Sequence, residues 1–177
     1  MLIAGFVMFV KSPAFLAKRL DAKEKQANQK GVLAFSGLMF VVGFVVAGLD
    51  FRFGWSVMPQ WVVITASVLF LIAYALYAEV MRENAFLSRT VKVEEGQTVV
   101  DTGLYGVVRH PMYAVTILLF LMIPVVLGSW YALIVFACYP AIIIVRLKDE
   151  EALLRKELHG YEDYCRKVKY RLFPLIW

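Results

Sequence analysis

The chain has two histidines, and His110 directly precedes Pro111 at the start of an apolar block. The residue before a proline favours extended backbone, and proline is favoured at the first position of a helix, so Pro111 predicts a helix start. The positive end of such a helix, with its free N–H groups, suits a carboxylate or a phosphate. The segment therefore predicts either a small-molecule site or an ordinary turn, since a lone surface histidine before proline is often only a turn residue.

A second charged group, Arg146–Glu151, follows the last long apolar block. Arg146 and Glu150 are four residues apart and can pair along a helix. Glu151 falls on a stripe with helical spacing, formed by Leu147, Leu154, Leu158, Tyr161, Cys165 and Val168. A carboxylate on the packed side of a helix needs a partner. That partner is either a bound cation or a salt bridge to Arg109 or Arg146.

These two groups are brought together by the elements between them. Apolar blocks at Met112–Leu127 and Trp130–Val145 are separated only by Gly128 and Ser129, which predicts a tight helical hairpin. A hairpin returns its second helix antiparallel to the first. Residues 109–113 and 146–151 are therefore expected at the same membrane face and within contact distance.

The composition indicates a membrane protein. Of 177 residues, 61% are apolar, against roughly 45–50% in ordinary globular proteins. The net charge is +5, but its Lys and Arg residues lie between apolar blocks, which favours anionic lipid headgroups over nucleic acid. The two cysteines, Cys138 and Cys165, are at different predicted depths, so neither a disulfide nor a metal site is expected.

The apolar blocks predict the number of membrane spans. Gly31–Leu49 carries no charge and covers roughly 28 Å as a helix, enough to cross a bilayer. Trp61–Ala78 is a second block, and the hairpin supplies two more. Met1–Val10 covers only about 15 Å. The prediction is an all-α polytopic bundle of four or five transmembrane helices, with a cytoplasmic C-terminal amphipathic helix.

Small and helix-breaking residues lie inside these blocks. Gly37, Gly43 and Gly48 indicate close helix packing in the first block. Pro124 and Pro140 lie inside the last two blocks, where a membrane helix tolerates them with a kink.

The positive charge between the blocks alternates. Residues 11–30, 50–60, 81–111, 128–129 and 146–177 hold six, one, four, no and eight Lys or Arg residues. The positive-inside rule places the rich stretches in the cytoplasm, which predicts an inner-membrane protein with its site facing the cytoplasm. Because the centres of the blocks carry no charge, transport is disfavoured relative to chemistry at the membrane surface.

Together, the two charged groups give the sequence a resemblance to the isoprenylcysteine carboxyl methyltransferase family and its phospholipid N-methyltransferase relatives. The resemblance covers roughly residues 94–174. Its motifs are Gly103-Leu104-Tyr105, Arg109-His110-Pro111-Met112-Tyr113, Asp149-Glu150-Glu151, Gly160-Tyr161-Glu162-Asp163-Tyr164 and Arg171-Leu172-Phe173-Pro174.

The resemblance implies a single methyltransferase domain over residues 1–177, with a membrane-spanning half, 1–93, and a cofactor-binding half, 94–177. It implies S-adenosylmethionine as the cofactor and no metal. The implied cofactor-binding residues are Gln97, Thr98, Val99, Val100, Tyr105, His110, Pro111, Met112, Tyr113, Glu150 and Glu151. The implied catalytic residues are Arg146, Glu150 and His110. Gln97 departs from the family, where histidine is common, and spacing alone does not decide between the two glutamates.

The implied acceptor is lipid-like, either a prenylated cysteine carboxylate or a phospholipid amine. A carboxylate is already ionised at neutral pH, whereas an amine must first lose a proton, so the carboxylate is slightly favoured. Two alternatives stay open. Membrane sterol-type reductases share a similar Arg-His-Pro-x-Tyr motif and use NADPH, whose 2′-phosphate could be met by Arg82, Arg89 and Lys92. The chain could also be a non-enzymatic anchor or scaffold. The oligomeric state is left open.

Overall fold

The computed structural model describes residues 27–84, 86, 93 and 96–177, so the block at Met1–Val10 lies outside the described residues. The described part is helical, without a strand. Its helices are α1 (Ala27–Phe53), α2 (Gln60–Glu83), α3 (Pro111–Val126), α4 (Trp130–Phe136), α5 (Tyr139–Glu157) and α6 (Tyr161–Lys167), with a short 3₁₀ helix at Gly103–Gly106.

Among the described residues, three helical segments are long and apolar enough to cross a membrane: Gly31–Phe53, Gln60–Glu83 and Trp130–Glu157. The apolar α3 has 16 residues and covers about 24 Å, less than a typical hydrocarbon core of roughly 30 Å. Of the four or five predicted spans, three are therefore supported by length and composition. The outward faces of α1 and α2 are apolar and exposed, as lipid-facing surfaces are, through Phe35, Leu38, Val41, Phe44, Trp61, Ile64, Val68 and Leu71.

The predicted hairpin is confirmed. Helix α3 ends at Val126 and α4 begins at Trp130, with Gly128 in the left-handed region at φ 75°. Ser129 caps α4 by accepting a hydrogen bond from the Ala132 N–H. The Ser129 hydroxyl also donates to the buried carboxylate of Asp50 at the end of α1, which ties the hairpin to α1.

The last long block is divided into two helices. Helix α4 ends at Phe136, a turn follows, and α5 begins at Tyr139 with Pro140 in its first turn. Proline lacks an N–H donor and clashes with the preceding turn, which accounts for a break at this position. Pro124, in contrast, lies inside an unbroken α3.

Helix α1 packs against α4 and α5, and α2 packs against α3. Close approach in α1 occurs at Gly43, where an added Cβ would lie 2.4 Å from Cε2 of Phe136. Gly37 and Gly48 have no atom within 4 Å of that position, so of the three glycines only Gly43 makes the predicted close contact.

The C-terminal tail folds back on the bundle. Helix α5 continues about three turns beyond its apolar part to Glu157, and the chain then breaks at Leu158–Gly160, with Gly160 in the left-handed region at φ 83°. The predicted apolar stripe is therefore shared between α5 and the short α6. Four of its members, Leu154, Leu158, Tyr161 and Val168, pack into one cluster with Tyr164, and Cys165 packs against that cluster, whereas Leu147 belongs to the core between the helices.

Candidate active site

The start of α3 is held by the tail through main-chain hydrogen bonds. The N–H of Arg109 donates to the carbonyl of Tyr170, and the N–H of His110 donates to the carbonyl of Arg171, both at 2.9 Å. Pro111 then opens the helix at its first turn, as predicted. The backbone before the helix is thus fixed by residues about 60 positions later.

Glu151 lies behind this helix start in a buried ion cluster. Its Oε1 accepts from Nε of Arg109 and its Oε2 accepts from Nε of Arg171, each at 2.8 Å. The Arg109 and Glu151 side chains are 5% and 7% exposed, whereas Arg171 is 33% exposed. Arg109 also donates to the carbonyls of Val168 and Lys169. The partner predicted for Glu151 is therefore Arg109, together with Arg171.

His110 is buried between this cluster and α6. Its Nε2 lies 3.4 Å from Oε1 of Glu151 and 3.4 Å from the hydroxyl of Tyr161. Its ring stacks on that of Tyr113, with centroids 5.7 Å apart. Burial raises the pKa of Tyr161 far above its usual range, with a further contribution from the Glu151 charge, so this hydroxyl keeps its proton.

Glu150 points to the other side of α5 and faces Tyr113. The Tyr113 hydroxyl donates to Oε2 of Glu150 and accepts from Nε of Arg146 at 3.0 Å. Arg146 and Glu150, one turn apart on α5, are therefore bridged by a phenol from α3. The hairpin brings the two charged groups together as predicted.

The segment before α3 is positioned by α2 and α6. The Glu83 carboxylate at the end of α2 accepts from the N–H of Leu104 at 3.0 Å. It fills the space beside Gly103, where an added Cβ would lie 1.5 Å from Oε1 of Glu83. The Tyr164 hydroxyl donates to the carbonyl of Tyr105 at 2.7 Å. Two helices distant in sequence thereby hold the Gly103–Gly106 turn against the site.

A cavity of about 580 Å³ joins these groups, within the usual range of small-molecule sites, roughly 300–1,000 Å³. The lining residues at and before the start of α3, on α5 after Arg146 and on α6 form what we call the polar end; they are Asn84, Phe86, residues 97–100, Tyr105, Arg109, His110, Met112, Tyr113, Glu150, Tyr161 and Tyr164, together with Leu153, Leu154 and Leu158. The other, which we call the apolar end, is lined mainly by Val32, Leu33, Phe40, Phe120, Ile142 and Ile143. Arg146 lies between them, one turn from Ile142 and one turn from Glu150 on α5.

The model of the isoprenylcysteine carboxyl methyltransferase (ICMT) family matches residues 62–156, more than half of the chain. The chain belongs to the ICMT family. The match runs from α2 to the end of α5, so the hairpin and its two charged groups are inside it, whereas Tyr161 and Arg171 lie beyond it.

The chain is also similar to a sterol reductase. The delta(14)-sterol reductase TM7SF2 of Mus musculus is 28% identical over 91 residues, which are 50% of this chain. The matched segment spans 22% of that reductase, so this ICMT family chain corresponds to a minor part of it.

Most of the predicted site residues of this ICMT family member lie on the cavity wall. They are Gln97, Thr98, Val99, Val100, Tyr105, His110, Met112, Tyr113, Arg146 and Glu150. Pro111 and Glu151 are buried and do not line the cavity. For Glu151 the reason is that both carboxylate oxygens are bonded to arginines. Of the two glutamates, Glu150 lines the cavity and Glu151 does not.

Three contributors to the site were missed by sequence reasoning. In the sequence, Arg171 stands out only as part of a motif, Tyr161 only as part of a motif and of an apolar stripe, and Glu83 not at all. Each acts across a long sequence separation, 20 residues from Arg171 to Glu151 and 21 from Glu83 to Leu104.

Proposed function

We propose that this chain transfers a methyl group from S-adenosylmethionine to a lipid-like acceptor at the membrane surface. The observation that carries the proposal is the single cavity with a polar end and an apolar end. A charged cofactor and a lipid-like acceptor need these two environments side by side. Membership of the ICMT family supports the same reaction.

The polar end fits the proposed cofactor. S-adenosylmethionine carries a sulfonium, an ammonium and a carboxylate. Glu150 would hold positive charge, the faces of Tyr105 and Tyr113 suit a cation, and the N-terminal end of α3 suits a carboxylate. Residues 97–100, His110 and Met112 would hold the remaining wall, while Pro111 and Glu151 would act from behind it. When bound, the cofactor supplies an activated methyl group, and catalysis by the protein is then chiefly positioning.

The apolar end fits an acyl or prenyl chain, and Arg146 is placed to orient the acceptor's head. Along α5 the wall changes from Ile142 and Ile143 to Arg146 and then Glu150, so a chain in the apolar end would bring its head beside the guanidinium. A guanidinium favours a carboxylate head over an ammonium head. We therefore place the prenylated cysteine carboxylate ahead of the phospholipid amine, for which Glu150 or His110 would have to accept a proton.

The site's orientation is part of the proposal. The polar end lies among residues 84–113 and 146–171, the stretches that the positive-inside rule assigns to the cytoplasm. The three helices long enough to cross a membrane support an integral membrane protein.

An NADPH-dependent reduction is the second candidate, favoured by the match to the sterol reductase. The 2′-phosphate of NADPH calls for a nearby arginine or lysine, for which the sequence offered Arg82, Arg89 and Lys92. Arg82 does not line the cavity, and its guanidinium makes two hydrogen bonds to Glu79. Arg89 and Lys92 lie outside the described residues. The arginines on the described cavity wall, Arg109 and Arg146, already bond to Glu151 and to the Tyr113 hydroxyl, so the preference for the methyltransferase rests on the family match.

Calorimetry on the purified protein in detergent separates the candidates. S-adenosylhomocysteine should release or absorb heat on binding, and NADPH should not. The reverse result would favour the reductase and refute our proposal, and binding of neither ligand would favour a scaffold. Transfer from radiolabelled S-adenosylmethionine, offered a prenyl-cysteine analogue or phosphatidylethanolamine vesicles, then identifies the acceptor.

The site assignment is tested by paired substitutions. His110→Ala and Glu150→Gln should each weaken S-adenosylhomocysteine binding by roughly ten- to hundredfold, the effect of losing one hydrogen bond to a charged group. His159→Ala is the matched control, because His159 is exposed and does not line the cavity. Unchanged binding in both site variants would show that the cofactor binds elsewhere.

A further inference from the structure

Two groups lie near Nε2 of His110, and they differ in the hydrogen bonds that they can form with it. A carboxylate oxygen of Glu151 and the hydroxyl of Tyr161 each lie 3.4 Å away. Arg109 and Arg171 hold Glu151 ionised, and an ionised carboxylate only accepts hydrogen bonds. A phenol both donates and accepts.

Only one histidine tautomer satisfies both neighbours. With the proton on Nε2, the ring donates towards the carboxylate, and the Tyr161 oxygen can share that proton as a second acceptor. With the proton on Nδ1, the Nε2 lone pair would face a carboxylate oxygen, which is repulsive. Burial raises the pKa of Tyr161, so its hydroxyl stays neutral. The charge of Glu151 therefore determines which ring nitrogen of His110 carries the proton.

The other ring nitrogen is left for the cavity. Nδ1 of His110 makes no hydrogen bond with the described residues, and it is not sealed from solvent as a buried unpartnered atom would be. His110 is 6% exposed and lines the cavity, so this residual exposure is towards the cavity. Stacking on Tyr113 fixes the plane of the ring.

We propose that Glu151 is a positioning residue that holds the proton of His110 on Nε2, so that Nδ1 presents a hydrogen-bond acceptor to the cavity. The ligand group at this atom is therefore an N–H or O–H donor, such as an ammonium or a sugar hydroxyl. A carboxylate or phosphate is excluded from this position, although the nearby helix start by itself would suit one. This arrangement parallels the carboxylate that orients a catalytic histidine in hydrolases.

The tautomer can be observed directly, without any ligand. The chain has two histidines, so His159→Gln leaves His110 as the single ¹⁵N-histidine signal in a labelled sample. The ring nitrogens are assigned by ¹⁵N NMR in lipid bilayers at about pH 8, above the ordinary histidine pKa. We expect the proton on Nε2, both in this background and with Tyr161→Phe added. A proton on Nδ1, a mixture of tautomers or a change of tautomer on adding Tyr161→Phe would overturn the assignment.

Two further variants test the acceptor, and this arm rests on the proposed function. The amide of His110→Asn reaches the Nδ1 position, whereas that of His110→Gln reaches the Nε2 position. His110→Asn should bind S-adenosylhomocysteine roughly tenfold more tightly than His110→Gln, because it keeps an acceptor at the cavity. Equal or reversed affinities would refute the acceptor role. If the parent protein binds no S-adenosylhomocysteine, the proposed function fails while the NMR result stands by itself.

Discussion

Substituting Glu151 with glutamine removes the charge that two arginines share. The Arg109 side chain is 5% exposed, so its guanidinium would be left buried without a counter-ion. Breaking a buried ion pair from one side typically costs about 3–5 kcal/mol. Arg109 keeps its bonds to the carbonyls of Val168 and Lys169, which places the expected loss in the free energy of unfolding near the lower bound, about 3 kcal/mol.

Arg171→Met supplies the comparison from the other side of the cluster. Arg171 is 33% exposed, and its loss leaves Glu151 still bonded to Arg109. We expect a cost of about 1 kcal/mol, the contribution of an ordinary hydrogen bond. Arg166→Met, at a side chain 77% exposed, is the matched control and should change stability by less than about 0.5 kcal/mol.

The assay is reversible unfolding in mixed micelles, followed by the fluorescence of the four tryptophans and by helical circular dichroism. The order Glu151→Gln, then Arg171→Met, then Arg166→Met is the prediction. If Glu151→Gln were no more costly than Arg171→Met, the buried Arg109 pair could not be the dominant contact, and the reasoning from exposure would be wrong.

Two further predictions concern packing and pH. Gly43→Ala should lower the free energy of unfolding by about 1–3 kcal/mol in the same assay, because its Cβ would lie 2.4 Å from the Phe136 ring. Gly37→Ala, whose Cβ would have no atom within 4 Å, should be neutral or stabilising. Equal effects of the two substitutions would contradict the close approach at Gly43. The hydrogen bond from Lys167 lowers the pKa of Asp101 below its ordinary value of 3.8. The pair should therefore stabilise the protein fully above pH 3.8, and this contribution should be lost as the pH falls through the lower pKa of the folded state. Comparing the parent with Lys167→Met between about pH 6 and pH 2 tests this, and an identical pH dependence would contradict it.

The parts of the fold that the sequence predicted are those set by local chemistry. Gly128 and Ser129 between two apolar blocks predicted the hairpin, because so short a break leaves the chain no other return. Pro111 predicted a helix start, because its fixed φ and missing N–H suit that position. These two features predicted that His110 lies near Glu150 and Glu151.

Other features were set by contacts that no local pattern encodes. Pro140 was expected as a kink inside one helix, but a turn just before it separates α4 from α5. The spacing of the apolar stripe predicted that Glu151 needs a partner, and the candidates were a bound cation, Arg109 and Arg146. Arg171 also bonds to Glu151, because the C-terminal tail returns to the start of α3. Residue spacing does not predict this return.

The main-chain bonds from Arg109 and His110 to the carbonyls of Tyr170 and Arg171 have a consequence for biosynthesis. When α3 leaves the ribosome, the residues that complete its entrance have not yet been translated. The guanidinium of Arg109 can donate to the carbonyl of Val168 only after that residue, 59 positions later, has been translated. Nascent chains that stop short of this point could insert into the membrane and still lack a finished pocket, so ligand binding would report on the completion of synthesis rather than on insertion.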